Sequence, residues 1–258
     1  MQLDYVSLLS IQRQLMSIPR GSDRFEQYLK TLLDDQQREL ALAPLVMINP
    51  MAKDHVARIL DQLIAFDADT IGAQTCQALS QALTSVQGNF KAALVVVDDA
   101  HGAGTNRYSY EYELRFGVAR LRQRSTQSQR QVWVTGILWT SETVDAAAIR
   151  VALASAAYRV AYMQAHGYPQ TLGEMLRQEG WVLAQAGSQQ PTLDPDDLEY
   201  TRAILEPQLD QLQVDDLPNT MSYVFGDQAG HSLGYRAQGL SPWAGIALAL
   251  HDARNKLG

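Results

Sequence analysis

The chain holds a single cysteine, Cys76, in 258 residues, so no disulfide and no cysteine-based metal site can close within it. Cys76 lies in a helical stretch and reads as a buried structural thiol. No segment approaches the ~20 apolar residues that a membrane span needs. The N-terminus lacks the charged start and apolar centre of a signal peptide. Positive charge is also scarce: 21 Lys and Arg stand against 28 Asp and Glu, a net charge of −7. Nucleic-acid and anionic-membrane surfaces need basic patches. The one basic cluster, Arg120, Arg122, Arg124 and Arg130, falls in a Gln/Ser-rich turn and reads as a solvated loop. These absences lead us to expect a soluble cytoplasmic protein that engages neither nucleic acid nor membrane.

Signature motifs are missing as well. There is no G-x-S-x-G elbow for a serine hydrolase, no H-E-x-x-H and no P-loop. Fixed-period repeats and long low-complexity tracts are likewise absent.

What is present suffices for a core: 46% of residues are hydrophobic and 19% charged. The expectation is one α/β (or α+β) domain over 1–258, with a central mixed sheet of about five or six strands flanked by helices. Residues 1–40 form a helical layer, 41–187 the sheet core, and 188–258 C-terminal helices with a hairpin. The Ser188-Gln189-Gln190-Pro191 segment is the best candidate for an internal boundary.

The sheet centre is placed at 90–142. Residues 92–97 are a continuous apolar, β-branched run, the mark of a strand covered on both faces. In 107–116, Tyr108, Tyr110, Tyr112, Leu114 and Phe116 alternate with Arg107, Ser109, Glu111, Glu113 and Arg115, as on a half-buried strand. Residues 132–139 are again mostly apolar. The simplest pairing is an antiparallel meander, with the first and third strands roughly 10 Å apart. Asp98, Asp99, His101, Asn106, Arg107, Thr140, Ser141 and Glu142 then share one rim.

Elsewhere, helices are expected over 3–18, from the Asp23-x-x-Glu26 capping signal onward, over 50–66, 69–86, 140–165 and 171–186, from Asp194-Pro195, and from Ser241-Pro242. Short strands are expected at 45–48 and 221–225, the latter pairing back through 232–235. A crossover from 45–48 to the strand at 92–97 would bring Asn49 and Lys53 to the rim of Asp98. There, helix N–H groups and the Lys53 ammonium would favour an anion.

The connection 98–107 is the densest set of reactive groups. Asp98 and Asp99 can orient His101 as a general base. Gly102 and Gly104 allow positive φ in a tight loop, and Asn106 adds an amide. Arg107 can hold a carboxylate or phosphate bidentately. The catalytic candidates are therefore Asp99 and His101. The ligand-binding candidates are Asn49, Lys53, Gly102, Gly104, Asn106, Arg107 and Ser141. Asp98, Asp99, His101 and Glu142 are the set that would hold a divalent metal, Mn, Fe or Zn with the imidazole and Mg with carboxylates alone. The sequence does not specify a cofactor. His55, His231 and His251 have no ligand-like spacing.

The function expected is binding of a small anionic metabolite, phosphorylated or carboxylated, with acid/base enzyme chemistry, a hydrolase for one. A non-enzymatic interaction or homo-oligomeric assembly protein is the alternative, with Tyr108, Tyr110, Tyr112, Trp133 and Trp139 as interface aromatics. A nuclease reading of Glu111 and Glu113 fails for want of an acidic-x-lysine tail in an acidic chain.

Overall fold

The most β-branched run becomes the middle of the sheet. Asn89–Val97 (β2) is a nine-residue strand, and its residues 92–97 are all buried. Gln2–Tyr5 (β1) pairs with it in parallel, Leu3 opposite Phe90 and Tyr5 opposite Ala92. Trp133–Trp139 (β3) pairs with it in parallel on the other side, from Lys91 opposite Trp133 to Val97 opposite Trp139. Among the described residues the sheet has three strands in the order β1-β2-β3, not five or six. A computed structural model describes residues 1–33, 40–100, 106–117, 132–211, 217–231, 234 and 237–257. His101, Gly102, Gly104, the Arg120–Arg130 cluster and most of the 232–235 return fall outside them.

The contacts gather the chain into two compact units, Met1–Thr105 with Gln129–Ala157, and Asn106–Ser128 with Tyr158–Gly258. The Ser188–Pro191 segment lies inside the second of these.

In the first unit, β1 leads to Leu9–Ser17 (α1), Ser22–Leu32 (α2), a 3-10 turn at Ala43–Met47, and the helices Asp54–Ala65 (α3) and Ala68–Ala82 (α4) before β2. The helix expected over 3–18 is therefore a strand followed by a helix. A four-residue strand is too short for period 2 to be told from 3.6, and pairing with β2 decides it. Side chains then fasten the layers. Tyr5 donates to Asp69 on α4 at 2.7 Å. Gln12 of α1, fully buried, donates to Val96 O at 2.7 Å and accepts from Val96 N at 3.0 Å. Its amide thus continues the backbone pairing of β2 beyond the end of β1. The run 45–48 falls in a turn rather than a strand, and Pro44 just before it has fixed φ and no N–H to give to a ladder. Asn49 caps no helix. Its Oδ1 accepts from Met51 N at 2.9 Å in a local turn, and α3 begins at Asp54 with Lys53 at its N-cap.

The second unit is helical. Arg107–Tyr112 (α5) runs into a π-helical turn at Glu113–Gly117. The strand expected over 107–116 is thus a helix. Its alternation also satisfies the helical rule, because Tyr108, Tyr112 and Phe116 are four residues apart, as are Arg107, Glu111 and Arg115. The helix brings Glu111 to 3.7 Å from Arg107 and 2.9 Å from Arg115, the i,i+4 pairing a strand cannot make. Without that strand there is no meander, and β2 and β3 are parallel neighbours.

Ala146–His166 (α6) gives its first part to the first unit and its last turns to the second. It starts later than the Thr140-Ser141 signal suggests, because Asp145 takes the cap, accepting from Ala148 N at 2.7 Å. Gly167, at φ 79°, ends it. Leu172–Gln185 (α7) opens on a Thr171/Glu174 capping box, and Pro195–Leu205 (α8) on Asp194. Leu217–Phe225 (α9), Asp227–His231 (α10) and Ala244–Leu257 (α11) complete the chain. The strand expected at 221–225 is helix α9. Its apolar side chains fill a core with Met175, Leu205 and Ile246. A Cβ on Gly245 would come within 2.1 Å of Tyr223 O, so only glycine lets α11 approach α9 so closely.

Candidate functional site

Parallel pairing sets β2 and β3 to end at the same edge, where Thr140 N donates to Val97 O at 3.1 Å. In open parallel sheets the carboxyl edge is the usual ligand position. Asp98 and Asp99 leave β2 there, and Thr140 and Ser141 leave β3.

Asp98 is buried. Its Oδ1 meets His55 Nε2 at 2.7 Å and accepts from Thr140 Oγ1 at 3.1 Å and Ala100 N at 3.3 Å. His55 stands in the first turn of α3 with 14% of its side chain exposed. Asp99 clasps the end of β3. Its Oδ1 accepts from Ser141 N at 2.9 Å and its Oδ2 from Ser141 Oγ at 2.6 Å, while its own N–H donates to Thr140 Oγ1 at 3.2 Å. Thr140 Oγ1 also lies 3.1 Å from Asp99 Oδ1. A hydroxyl carries one proton, so it serves one aspartate at a time.

Two buried side chains support the rim. Gln12 fixes the end of β2 through Val96. Arg24, on α2, donates to the carbonyls of Ile18 at 2.6 Å, Met16 at 3.2 Å, Pro50 at 3.3 Å and Ala52 at 3.2 Å. The last two belong to the segment that delivers Lys53, Asp54 and His55. Burial draws the Arg24 guanidinium below its ordinary pKa, and it spends its donors on carbonyls, which need no proton in return.

The arrangement suits proton transfer. An ionised carboxylate at Nε2 fixes the tautomer with the proton on that nitrogen and makes Nδ1 the basic one. Of the residues expected at the rim, Asp98, Asp99, Thr140 and Ser141 are brought together. Lys53 is exposed at the N-cap of α3, and Glu142 is exposed just past Ser141. Asn106 and Arg107 belong to the second unit. There Asn106 caps α5 by accepting from Ser109 N at 3.2 Å, and the Arg107 guanidinium lies 5.1 Å over the Trp243 ring. His55 is the residue that sequence reasoning passed over. Its signal was a histidine two residues after Lys53 in the opening turn of a helix already aimed at the rim. Among the described residues no group of three or more metal-ligating side chains converges.

The second unit has its own buried charges. Arg159 Nε donates to Glu179 Oε1 at 2.7 Å and its NH2 to Oε2 at 2.8 Å. Arg115 NH1 donates to Glu179 Oε2, and Arg115 Nε to Glu111 Oε2 at 2.9 Å. Gln178 Nε2 donates to Glu179 Oε1 at 3.1 Å. Burial alone would raise the Glu179 carboxyl, but Arg159 and Arg115 outweigh it and hold the pKa at about 2. Burial likewise opposes the Arg115 charge, and Glu111 and Glu179 more than offset it. In the first unit, burial pushes the Cys76 thiol up to about 12, which leaves it without the thiolate a nucleophile needs.

Among the described residues no helix is long and apolar enough to cross a membrane. Comparison with protein-family models, with curated proteins and with solved structures gives no match to the chain.

Proposed function

We propose that the first unit binds a small metabolite carrying a phosphate or carboxylate at the carboxyl edge of its parallel sheet. In this reading His55, held by Asp98, accepts or delivers a proton there. The observation that carries the proposal is the 2.7 Å contact between His55 Nε2 and the buried Asp98. A histidine backed by a buried carboxylate is oriented for acid/base work. Lys53 and the amides in the first turn of α3 supply the attraction for the anion. Asp99 acts as a positioning residue that draws Thr140 and Ser141 against β2. Arg107, engaged with Glu111 and Trp243, is not needed for the anion.

A thermal-shift screen with phosphorylated and carboxylated metabolites tests this. Stabilisation by at least one of them, weakened in both Lys53→Ala and His55→Ala, is the expected result. No stabilisation by any member of such a panel removes the proposal.

A second reading, self-assembly, is favoured by Phe25 and Leu29, one turn apart on α2, and by Val46, which are 46%, 40% and 48% exposed. It does not use the aromatics first considered. Tyr112 and Trp139 are buried, and Tyr108 packs on Phe225 and Trp243 at 6.0 and 5.7 Å. Light scattering at high concentration that finds only monomer disposes of this reading.

A further inference from the structure

The last helix carries a second cluster of polar groups, separate from the sheet edge. On α11, Leu250, His251, Arg254 and Asn255 fall on one stripe. With Leu193 and Leu198, from the start of α8 and the loop before it, they line a cavity of about 110 Å³. The floor is leucine, and the lip is an imidazole, a guanidinium and an amide. No carboxylate lines it among the described residues, although the chain as a whole carries a net charge of −7. Asp194, Asp196, Asp197 and Asp252 neighbour the lining residues in sequence without lining the cavity themselves.

The walls are tied in place. Arg202 on α8 makes a two-pronged pair with Asp252 on α11, at 2.6 and 2.8 Å, which engages the carboxylate next to His251. Arg254 donates to Ser188 O and so holds the loop over the cavity. Asn255 Nδ2 lies 2.9 Å from His251 Nε2. With the amide donating, Nε2 is the acceptor and the ring proton sits on Nδ1, a donor for an incoming oxygen. Arg254 near the C-terminus of α11 also complements the helix dipole, but the dipole requires no hollow beside it.

We propose that this cavity binds a short aliphatic carboxylate. The carboxylate oxygens take hydrogen bonds from Arg254 and His251, and the hydrocarbon tail rests on Leu193, Leu198 and Leu250. A cavity of ~150 Å³ accommodates benzene, so the space here limits the tail to roughly four carbons.

The test is an NMR titration of the full chain with sodium butyrate, against butyramide at matched ionic strength. Butyrate should give saturable shifts of the His251 and Asn255 side-chain signals, and butyramide none. Arg254→Gln should weaken butyrate binding at least about tenfold, and Leu198→Trp, which fills the hollow, should abolish it. Shifts of the wild-type chain that never saturate, an equal response to butyramide, or a folded Leu198→Trp variant that binds as the wild type does would each overturn the proposal.

Discussion

Asp98 in the first unit is buried at a strand end with an imidazole and a hydroxyl beside it, whereas Glu179 in the second is buried on a helix and receives two guanidinium groups. Both are carboxylates removed from water, and the company each keeps differs in kind. Glu179 has permanent cations on both of its oxygens, with the Gln178 amide as a further donor. Among the described residues Asp98 accepts through Oδ1 alone, and its partners there are an imidazole, a hydroxyl and a backbone N–H. Closed pairing of buried charge is architecture; open pairing with a titratable group at a sheet edge is where chemistry can occur. The depressed pKa of Glu179 therefore goes with a closed ion-pair network.

That contrast can be broken most forcefully at Glu179. Glu179→Ala leaves Arg159 buried without its counter-charge and Arg115 with Glu111 alone, which should cost ~3–5 kcal/mol and lower Tm by roughly 10 °C in a thermal melt. A pH series on the wild type reads the same network next. The Glu179 pKa is depressed in the folded state, so its contribution is complete above the ordinary value of 4.5 and is lost as pH falls toward 2. On the order of 3 kcal/mol should disappear across that window, and urea melts of Glu179→Gln should lack this part of the slope.

Asp98→Ala comes third. It removes one acceptor of several hydrogen bonds at a site closer to water, and about 2 kcal/mol is expected in urea melts. It should also erase any ligand-induced stabilisation, which the Glu179 variants should keep wherever they fold. A loss of ligand response on changing Glu179 instead would reverse the assignment of the two regions. The smallest effect belongs to Asp252→Asn. Its partner Arg202 is 51% exposed, and separating such a pair should change stability by less than ~1 kcal/mol.

Much of the scaffold was legible where local chemistry is unambiguous. The β-branched run at 92–97, the apolar run at 132–139, and Thr171 and Asp194-Pro195 at the starts of α7 and α8 all act as read. Misreadings occurred where two periods fit the same residues. Leu3 and Tyr5 suit a strand or a helix, 107–116 satisfies both alternation and i,i+4 spacing, and 221–225 is apolar throughout. The direct pairing of β2 with β3 was not readable, because reading 107–116 as a strand set that strand between them. The candidate site divides the same way. Asp98, Asp99 and Ser141 sit at strand ends and could be placed on one rim. His55 meets Asp98 across 43 residues, and Arg24 acts through carbonyls that carry no sequence signal.

The most direct measurement is the ¹⁵N spectrum of the His55 imidazole, recorded with and without a metabolite that raises Tm, in the wild type and in Asp98→Asn. The proposed function predicts a proton fixed on Nε2 in the free wild-type protein, a shift of Nδ1 on ligand addition, and loss of both in the variant. An imidazole that averages its two tautomers freely, titrates alike with or without Asp98, and ignores every stabilising ligand would contradict it.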